Sequence, residues 1–203
     1  CLAALNSPGE TIIKSKRCRD HTEKLFKFLK IPIKIKKEKN YDLIKIKGLK
    51  KFKSFDYHIP ADPSSSAFIV MLTILSKNSS ILIKNCLVNE NRIGFYKILK
   101  QMGAKIIFKN KKIYKGEKIS DIFCKSSNKL NSVNLIKNFN NSSMIDEFNS
   151  LFVIASFSNG VSTFKGLGEL NKKESKRLDW GFKILKMIGV KTKKIGNDGI
   201  KIW

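Results

Sequence analysis

Three segments of the chain echo one another, and that repeat limits the fold more than any single motif. KLFKFLKIPIKI (24–35), KILKQMGAKIIF (97–108) and KILKMIGVKTKK (183–194) each read as the end of an amphipathic helix running into a strand. The second and third carry Gly103 and Gly189 where a left-handed helix cap favours glycine. The surroundings repeat as well. A strand precedes each amphipathic helix, at Thr11–Lys16, Ser80–Lys84 and Val161–Lys165. A turn precedes each strand, and an apolar helix precedes each turn. Ala67–Leu75 and Leu151–Phe157 are apolar nearly all round, so both are expected to be buried on every side; Cys1–Leu5 reads as the tail of a third such helix. Two short strands follow each amphipathic helix, as in Ile33–Lys37 with Leu43–Lys47 and Lys105–Lys109 with Ile113–Lys115. The unit is buried helix, strand, surface helix, strand, strand. Repeated α/β units of this kind pack sheets around internal helices, unlike a Rossmann alternation or a short-repeat solenoid.

Leu49–Ala61 interrupts the repeat with a basic, irregular run that ends beside Pro60. A domain crossover is expected there, with residues 1–58 in one domain and 59–203 in a second. The chain begins on Cys1 and ends on a strand-like GIKIW, which reads as a fragment of a longer protein.

Composition narrows the partners. The formal charge is +25, which on its own raises nucleic acid. Yet only Arg17, Arg19, Arg92 and Arg177 among the 41 basic residues are arginine, and the lysines are spread over every segment. A nucleic-acid surface clusters its charge and favours arginine, so nucleic acid is not expected as a partner. Cys1, Cys18, Cys86 and Cys124 show no CxxC spacing, and His21 and His58 lie far apart, which leaves no zinc site or disulfide framework and suits a reducing cytoplasm. No apolar run is long enough to span a bilayer.

Several polar clusters remain, each with two readings. At 17–23, Asp20 can cap the first surface helix, or the strand end, helix start and Arg19 can form an anion site around Cys18; His21 reads as a local hydrogen-bonding residue. Asp62-Pro63 is an ordinary helix start. Asp146 and Glu147 open an apolar helix, where acids complement the dipole or where Asp146 could serve as a general base. Lys172–Arg177 is expected to begin the third amphipathic helix. Lys173 and Arg177 would then share one face and repel unless an anion lies between them, or the face is simply solvated.

RDHTE (19–23), DPSSSAF (62–68), IDE (145–147) and ELNKKESKRL (169–178) together resemble the motifs of the 3-phosphoshikimate 1-carboxyvinyltransferase family, the EPSP synthases, in family order and spacing across essentially the whole chain. The resemblance implies the α/β enolpyruvate transferase fold of repeated βαβαββ units with buried helices and outer sheets. It implies transfer of the enolpyruvyl group of phosphoenolpyruvate to the 5-hydroxyl of shikimate 3-phosphate, with release of phosphate, no metal or organic cofactor, and a monomer with small-molecule partners only. By position it makes Asp146 the acid that orients and deprotonates the hydroxyl, and Glu174 the residue handling the methylene proton. Lys173 meets the hydroxyl region, Arg177 binds phosphoenolpyruvate, Glu169 lies near the ring, and Cys18 and Arg19 meet the shikimate phosphate. The chain departs from the pattern at Cys18 (usually Ser or Thr), Lys176 (usually Asp) and Asn149 (often Pro). The family's remaining substrate-binding residues would lie outside this chain, so the fragment alone is expected to be inactive. The alternatives are the sister transferase acting on UDP-N-acetylglucosamine, whose loop cysteine has no counterpart here, and a basic nucleic-acid-binding protein.

Overall fold

The three echoing segments fold alike. The computed structural model describes residues 1–48, 51–136 and 141–203. The chain forms β1 (Glu10–Ser15), α1 (His21–Phe28), β2 (Ile33–Lys37), β3 (Asp42–Lys47), α2 (Pro63–Leu75), β4 (Ser80–Leu87), α3 (Gly94–Gln101) and β5 (Lys105–Tyr114). It continues with β6 (Glu117–Lys125), β7 (Asn134–Leu135), α4 (Phe148–Ser156), β8 (Ser162–Phe164), α5 (Arg177–Met187), β9 (Thr192–Ile195) and β10 (Gly199–Ile202). The sheets run β1-β3-β2, β4-β6-β5 and β7-β8-β10-β9. In each, the last strand of the unit lies antiparallel between the other two. The short parallel strand β7 precedes α4 and pairs with β8; Ala61, just before α2, makes the equivalent parallel bridge to Cys86. Both complete units therefore read βαβαββ.

Local chemistry accounts for the boundaries. Asp62 caps α2, its Oδ2 accepting the Ser65 N–H at 2.9 Å, and Pro63 follows at the first helical position, as its missing N–H allows. Gly103 and Gly189 follow α3 and α5 at φ of +91° and +80°. Two expectations fail. Lys105–Tyr114 is one strand, not two: a bulge between Lys109 and Lys112, with Asn110 at positive φ, lets it bend and keep pairing with β6. The turn lies later, at Lys115-Gly116, both at positive φ as a two-residue hairpin requires. Asp20 makes no side-chain cap on α1; its carboxylate goes to Lys24 and Asn89 instead.

The core is split. Ala4, Phe26, Ile31, Ile44 and Ile46 form a small cluster under the first sheet. A second, larger cluster runs from Ala67 to Ile202 and includes Phe95, Tyr96, Ile98 and Leu99 of α3, all wholly buried. Each such side chain stabilises the fold by about 1.5–3 kcal/mol. Cys86 and Cys124 are wholly buried members of this core, and burial pushes both thiols up to about 11. The expectation that the apolar helices are buried on every side holds for α4, where only the capping Phe157 is exposed, and fails for α2. α2 packs on α4, β4 and β6, but Phe68, Ile69 and Leu72 on its other face are about half exposed or more. No element among the described residues covers them. Cys1–Leu5 contributes only a 3-10 turn, Ala3–Asn6. Of the expected crossover, residues 49–50 lie outside the described residues, and 51–60 carry no regular structure. No described helix is long and apolar enough to cross a membrane.

Candidate active site

Asp146 sits just before α4, at the end of a 3-10 turn (Asn141–Met144), and cations approach it from both ends of the chain. Arg19, in the link between β1 and α1, donates through Nη2 to Oδ2. Arg177, the first residue of α5, donates through Nη1 to Oδ1 at 2.8 Å. Lys173 Nζ lies 3.9 Å from the same Oδ1. Glu174 completes the group by accepting from Arg177 Nη2. The Asp146 side chain is 29% exposed, so the cluster borders solvent.

This arrangement corrects the helical reading of 172–177. Gly168–Lys172 is a 3-10 turn, Lys173 is extended, and α5 begins only at Arg177. The start is set by Asn171, whose Oδ1 accepts the N–H groups of Leu178 and Asp179 at 3.0 and 3.3 Å. Lys173 and Arg177 thus share no helix face. They converge because the chain folds back on Asp146, and the anion between them is that carboxylate.

The tightness of α4 against α5 fixes Arg177 relative to Asp146. A Cβ on Gly181 of α5 would lie 2.8 Å from Asn149 Oδ1 and 2.9 Å from Phe152 Cδ2, both on α4. Only glycine allows that approach, and Asn149, which stands where the family pattern often has proline, lies directly under it.

The electrostatics follow from the geometry. Burial pushes the Asp146 carboxyl up, but the hydrogen bonds from Arg19 and Arg177 outweigh it and hold the group below the usual carboxylate range. Glu174 is held low by its own backbone N–H and then by Arg177. Glu147, next in sequence and only 4% exposed, moves the other way. Burial, reinforced by the Asp146 charge and opposed by a hydrogen bond to Ser64, holds its carboxyl above its ordinary value. Arg92 joins this edge of the site, donating through Nη2 to Asp62 Oδ1 at 2.6 Å and Ser64 Oγ at 2.9 Å. Sequence reasoning gives no role to Arg92, Asn171 or Gly181, and reads Ser64 only as one of the serines of the DPSSSAF motif; the scarcity of arginine is the signal that singles out Arg92.

Of the residues expected at the site, Asp146, Lys173, Glu174, Arg177 and Arg19 come together. Cys18 adjoins Arg19 in sequence and is exposed, its Sγ directed at the Arg19 carbonyl. Glu169 stands apart, 70% exposed and paired with Lys172 at 3.4 Å. Among the described residues no group of three or more His, Cys, Asp or Glu could hold a metal.

Comparison with known proteins sets this geometry in a family. The model for EPSP synthase (3-phosphoshikimate 1-carboxyvinyltransferase) matches residues 1–203. A 3-phosphoshikimate 1-carboxyvinyltransferase of Bartonella tribocorum is 40% identical over 179 residues, 87% of this chain and 40% of that protein. One from Thermodesulfovibrio yellowstonii is 38% identical over 203 residues, 99% of this chain and 46% of its own length. The solved EPSP synthase of Acinetobacter baumannii superposes with a TM-score of 0.87 at 32% identity, covering 99% of this chain and 44% of that one. The enolpyruvyl transferase NikO of Streptomyces tendae shares the fold, with a TM-score of 0.68 at 12% identity. The chain spans less than half the length of each of these proteins.

Proposed function

The chain belongs to the EPSP synthase (3-phosphoshikimate 1-carboxyvinyltransferase) family, and from that premise we propose that the whole protein transfers the enolpyruvyl group of phosphoenolpyruvate to the 5-hydroxyl of shikimate 3-phosphate. The observation that carries the reading is the convergence of Arg19, Lys173 and Arg177 on Asp146. Both substrates are anions, and this cluster holds more positive charge than its two carboxylates neutralise.

In the reaction, the hydroxyl oxygen bonds to C2 of phosphoenolpyruvate while its proton passes to Asp146 and C3 gains a proton to become a methyl group. The tetrahedral adduct then loses phosphate from C2 and a proton from the methyl carbon, restoring the double bond; Glu174 handles the proton at that carbon. Arg177 binds phosphoenolpyruvate through its planar fork, and Lys173 meets the acceptor hydroxyl. Cys18 and Arg19 hold the shikimate phosphate, with Cys18 offering a weaker hydrogen bond than the usual hydroxyl; Glu169 lies near the ring in the family pattern. The depressed Asp146 carboxyl is a poor base while Arg19 and Arg177 are spent on it. A substrate phosphate or carboxylate that takes up those guanidinium groups raises its basicity, so substrate binding prepares the base.

The division into residues 1–58 and 59–203 is part of this proposal, supported by the two separate apolar cores. The exposed faces of α2 (Phe68, Ile69, Leu72) and α5 (Trp180, Ile184, Met187) support packing of further chain against them. Because the family's other substrate-binding residues fall outside this chain, it does not turn over alone; product formed by the purified 203-residue chain would overturn that statement.

The test is phosphate release by the complete reading frame. It is expected to require both substrates and to fall by about 10²–10⁴-fold in Asp146→Asn, the usual contribution of a positioned proton carrier. Release with UDP-N-acetylglucosamine in place of shikimate 3-phosphate would assign the chain to the sister reaction, and no release with either would overturn the reading.

A further inference from the structure

The site takes Arg19 from the first unit and its other members from beyond residue 140, so something must hold α1 in place. Apart from the crossover, a polar clasp does this. Glu117 opens β6 and is only 4% exposed. Its Oε1 lies 2.5 Å from His21 Nδ1 and its Oε2 lies 3.4 Å from Lys24 Nζ, both on α1. Asn89, 1% exposed, donates from Nδ2 to Asp20 Oδ1 at 2.7 Å and to Glu117 Oε2 at 3.4 Å. Its Oδ1 accepts the Asn91 N–H at 3.0 Å, which fixes the amide orientation. Lys24 closes the circuit with Asp20 at 2.9 Å.

Backbone and aromatic contacts reinforce the same junction. A Cβ on Gly116 would lie 2.9 Å from the Lys24 carbonyl oxygen, so the β5–β6 turn presses directly on the backbone of α1. The Lys115 ammonium lies within 6 Å of the Phe55, Tyr57 and Tyr114 rings, and Phe55 meets Phe28 of α1 edge-on. The hairpin tip therefore grips both α1 and the crossover.

A carboxylate this buried is costly unless it is paired and hydrogen-bonded, and Lys24 and His21, which do this, come from the other unit. That makes docking of α1 specific rather than merely apolar. His21 is two residues from Arg19, so whatever fixes the first turn of α1 fixes Arg19.

We propose that Glu117 is a positioning residue: clasped by His21 and Lys24 and braced by Asn89, it holds α1 in the orientation that delivers Arg19 to Asp146. The proposal rests on the reading of the Asp146 cluster as the active site. Glu117 touches none of the reacting groups and acts through Arg19.

The experiment has two arms. In the first, amide hydrogen exchange on the full chain compares wild type with Glu117→Gln and, as a variant that leaves no buried charge unpaired, Asn89→Ala. Exchange over residues 18–28 is expected to speed up by about 10-fold or more in Glu117→Gln, less in Asn89→Ala, with α3 and α4 unchanged. In the second, steady-state kinetics of the complete enzyme follow a double-mutant cycle with Arg19→Ala. Glu117→Gln alone is expected to raise KM for the phosphorylated acceptor by about 10-fold with kcat nearly unchanged, and to add nothing in the Arg19→Ala background. Glu90→Gln, at an exposed pair within the second unit, should leave both constants as they are. Equal effects of Glu117→Gln with and without Arg19 would overturn the positioning role, as would unchanged exchange at 18–28. A wild-type enzyme that turns over no substrate would sink the functional reading instead, while the exchange arm still decides the clasp.

Discussion

The Asp146 cluster and the Glu117 clasp are built from the same residue types, yet they are wired for opposite ends. Around Asp146, three cations face two carboxylates at a partly exposed edge, leaving one positive charge in excess. Around Glu117, Lys24 bridges the Asp20 and Glu117 carboxylates while His21 and Asn89 also hydrogen-bond Glu117, which is only 4% exposed. A partly exposed carboxylate with cations in excess around it can give them up to another anion and let the cluster rearrange; a carboxylate buried among its partners resists rearrangement. The surplus of arginine and lysine and the exposure of the central carboxylate, rather than the presence of salt bridges, separate a site from a strut.

The sharpest way to break this comparison is at the base. Asp146→Asn in the complete enzyme is expected to cut turnover by about 10²–10⁴-fold, or about 2.7–5.4 kcal/mol in the barrier. A loss under tenfold would show that the carboxylate is only a structural counter-ion, like Glu117. Next comes Arg177→Lys, which keeps the charge but removes the fork that now spans Asp146 and Glu174. A drop of about 10–100-fold in kcat/KM is expected, carried mostly by KM for phosphoenolpyruvate. An unchanged KM would mean that charge alone suffices there.

A single substitution can also test the frame that separates the two clusters. Gly181→Ala forces a Cβ against Asn149 and Phe152 of α4, both closer than 3.0 Å. Overpacking of this kind costs about 1–3 kcal/mol, read as a lowered denaturant midpoint with an unchanged slope. The displacement falls between Asp146 and Arg177, so the Asp146 cluster should loosen while the clasp, anchored on β6, holds. Equal loss of exchange protection at both places would show that they are not independent.

The clusters also differ in how far they could be read from the sequence. The repeat, the Asp62-Pro63 start of α2 and the glycine ends of α3 and α5 were legible because each is a local pattern with a local cause. The Asp146 members are named through family motifs, but the helix face expected to join Lys173 and Arg177 does not form; only the need for an anion between them holds. Periodicity could not show that Asn171 would cap α5 five residues later than expected and leave Lys173 extended. The clasp was illegible altogether. Glu117 and His21 are 96 residues apart; no motif singles out Glu117, and His21 reads only as a local hydrogen-bonding residue. β5 likewise hid its length, because the bulge at Asn110 breaks the alternation that marks a strand.

The smallest effect follows from the depressed Asp146 carboxyl and separates charge from packing as the origin of the cluster. Asp146 binds fewer protons folded than unfolded, so its contribution is fully present above the unfolded value near 4 and is lost as pH falls through the lower folded value. Asp146→Asn should therefore destabilise the chain near neutral pH by about 1 kcal/mol, the size of a partly exposed ion-pair network. The cost should shrink as pH drops below about 4, where the wild-type carboxylate also loses its charge. Thermal unfolding of the two proteins from pH 3 to pH 7 checks this. A gap that stays constant would mean the asparagine is penalised for its shape, and that Arg19, Lys173 and Arg177 repel one another too weakly to need the carboxylate. A gap that closes in acid would show that the cluster is held together by charge, and so can be opened by another anion.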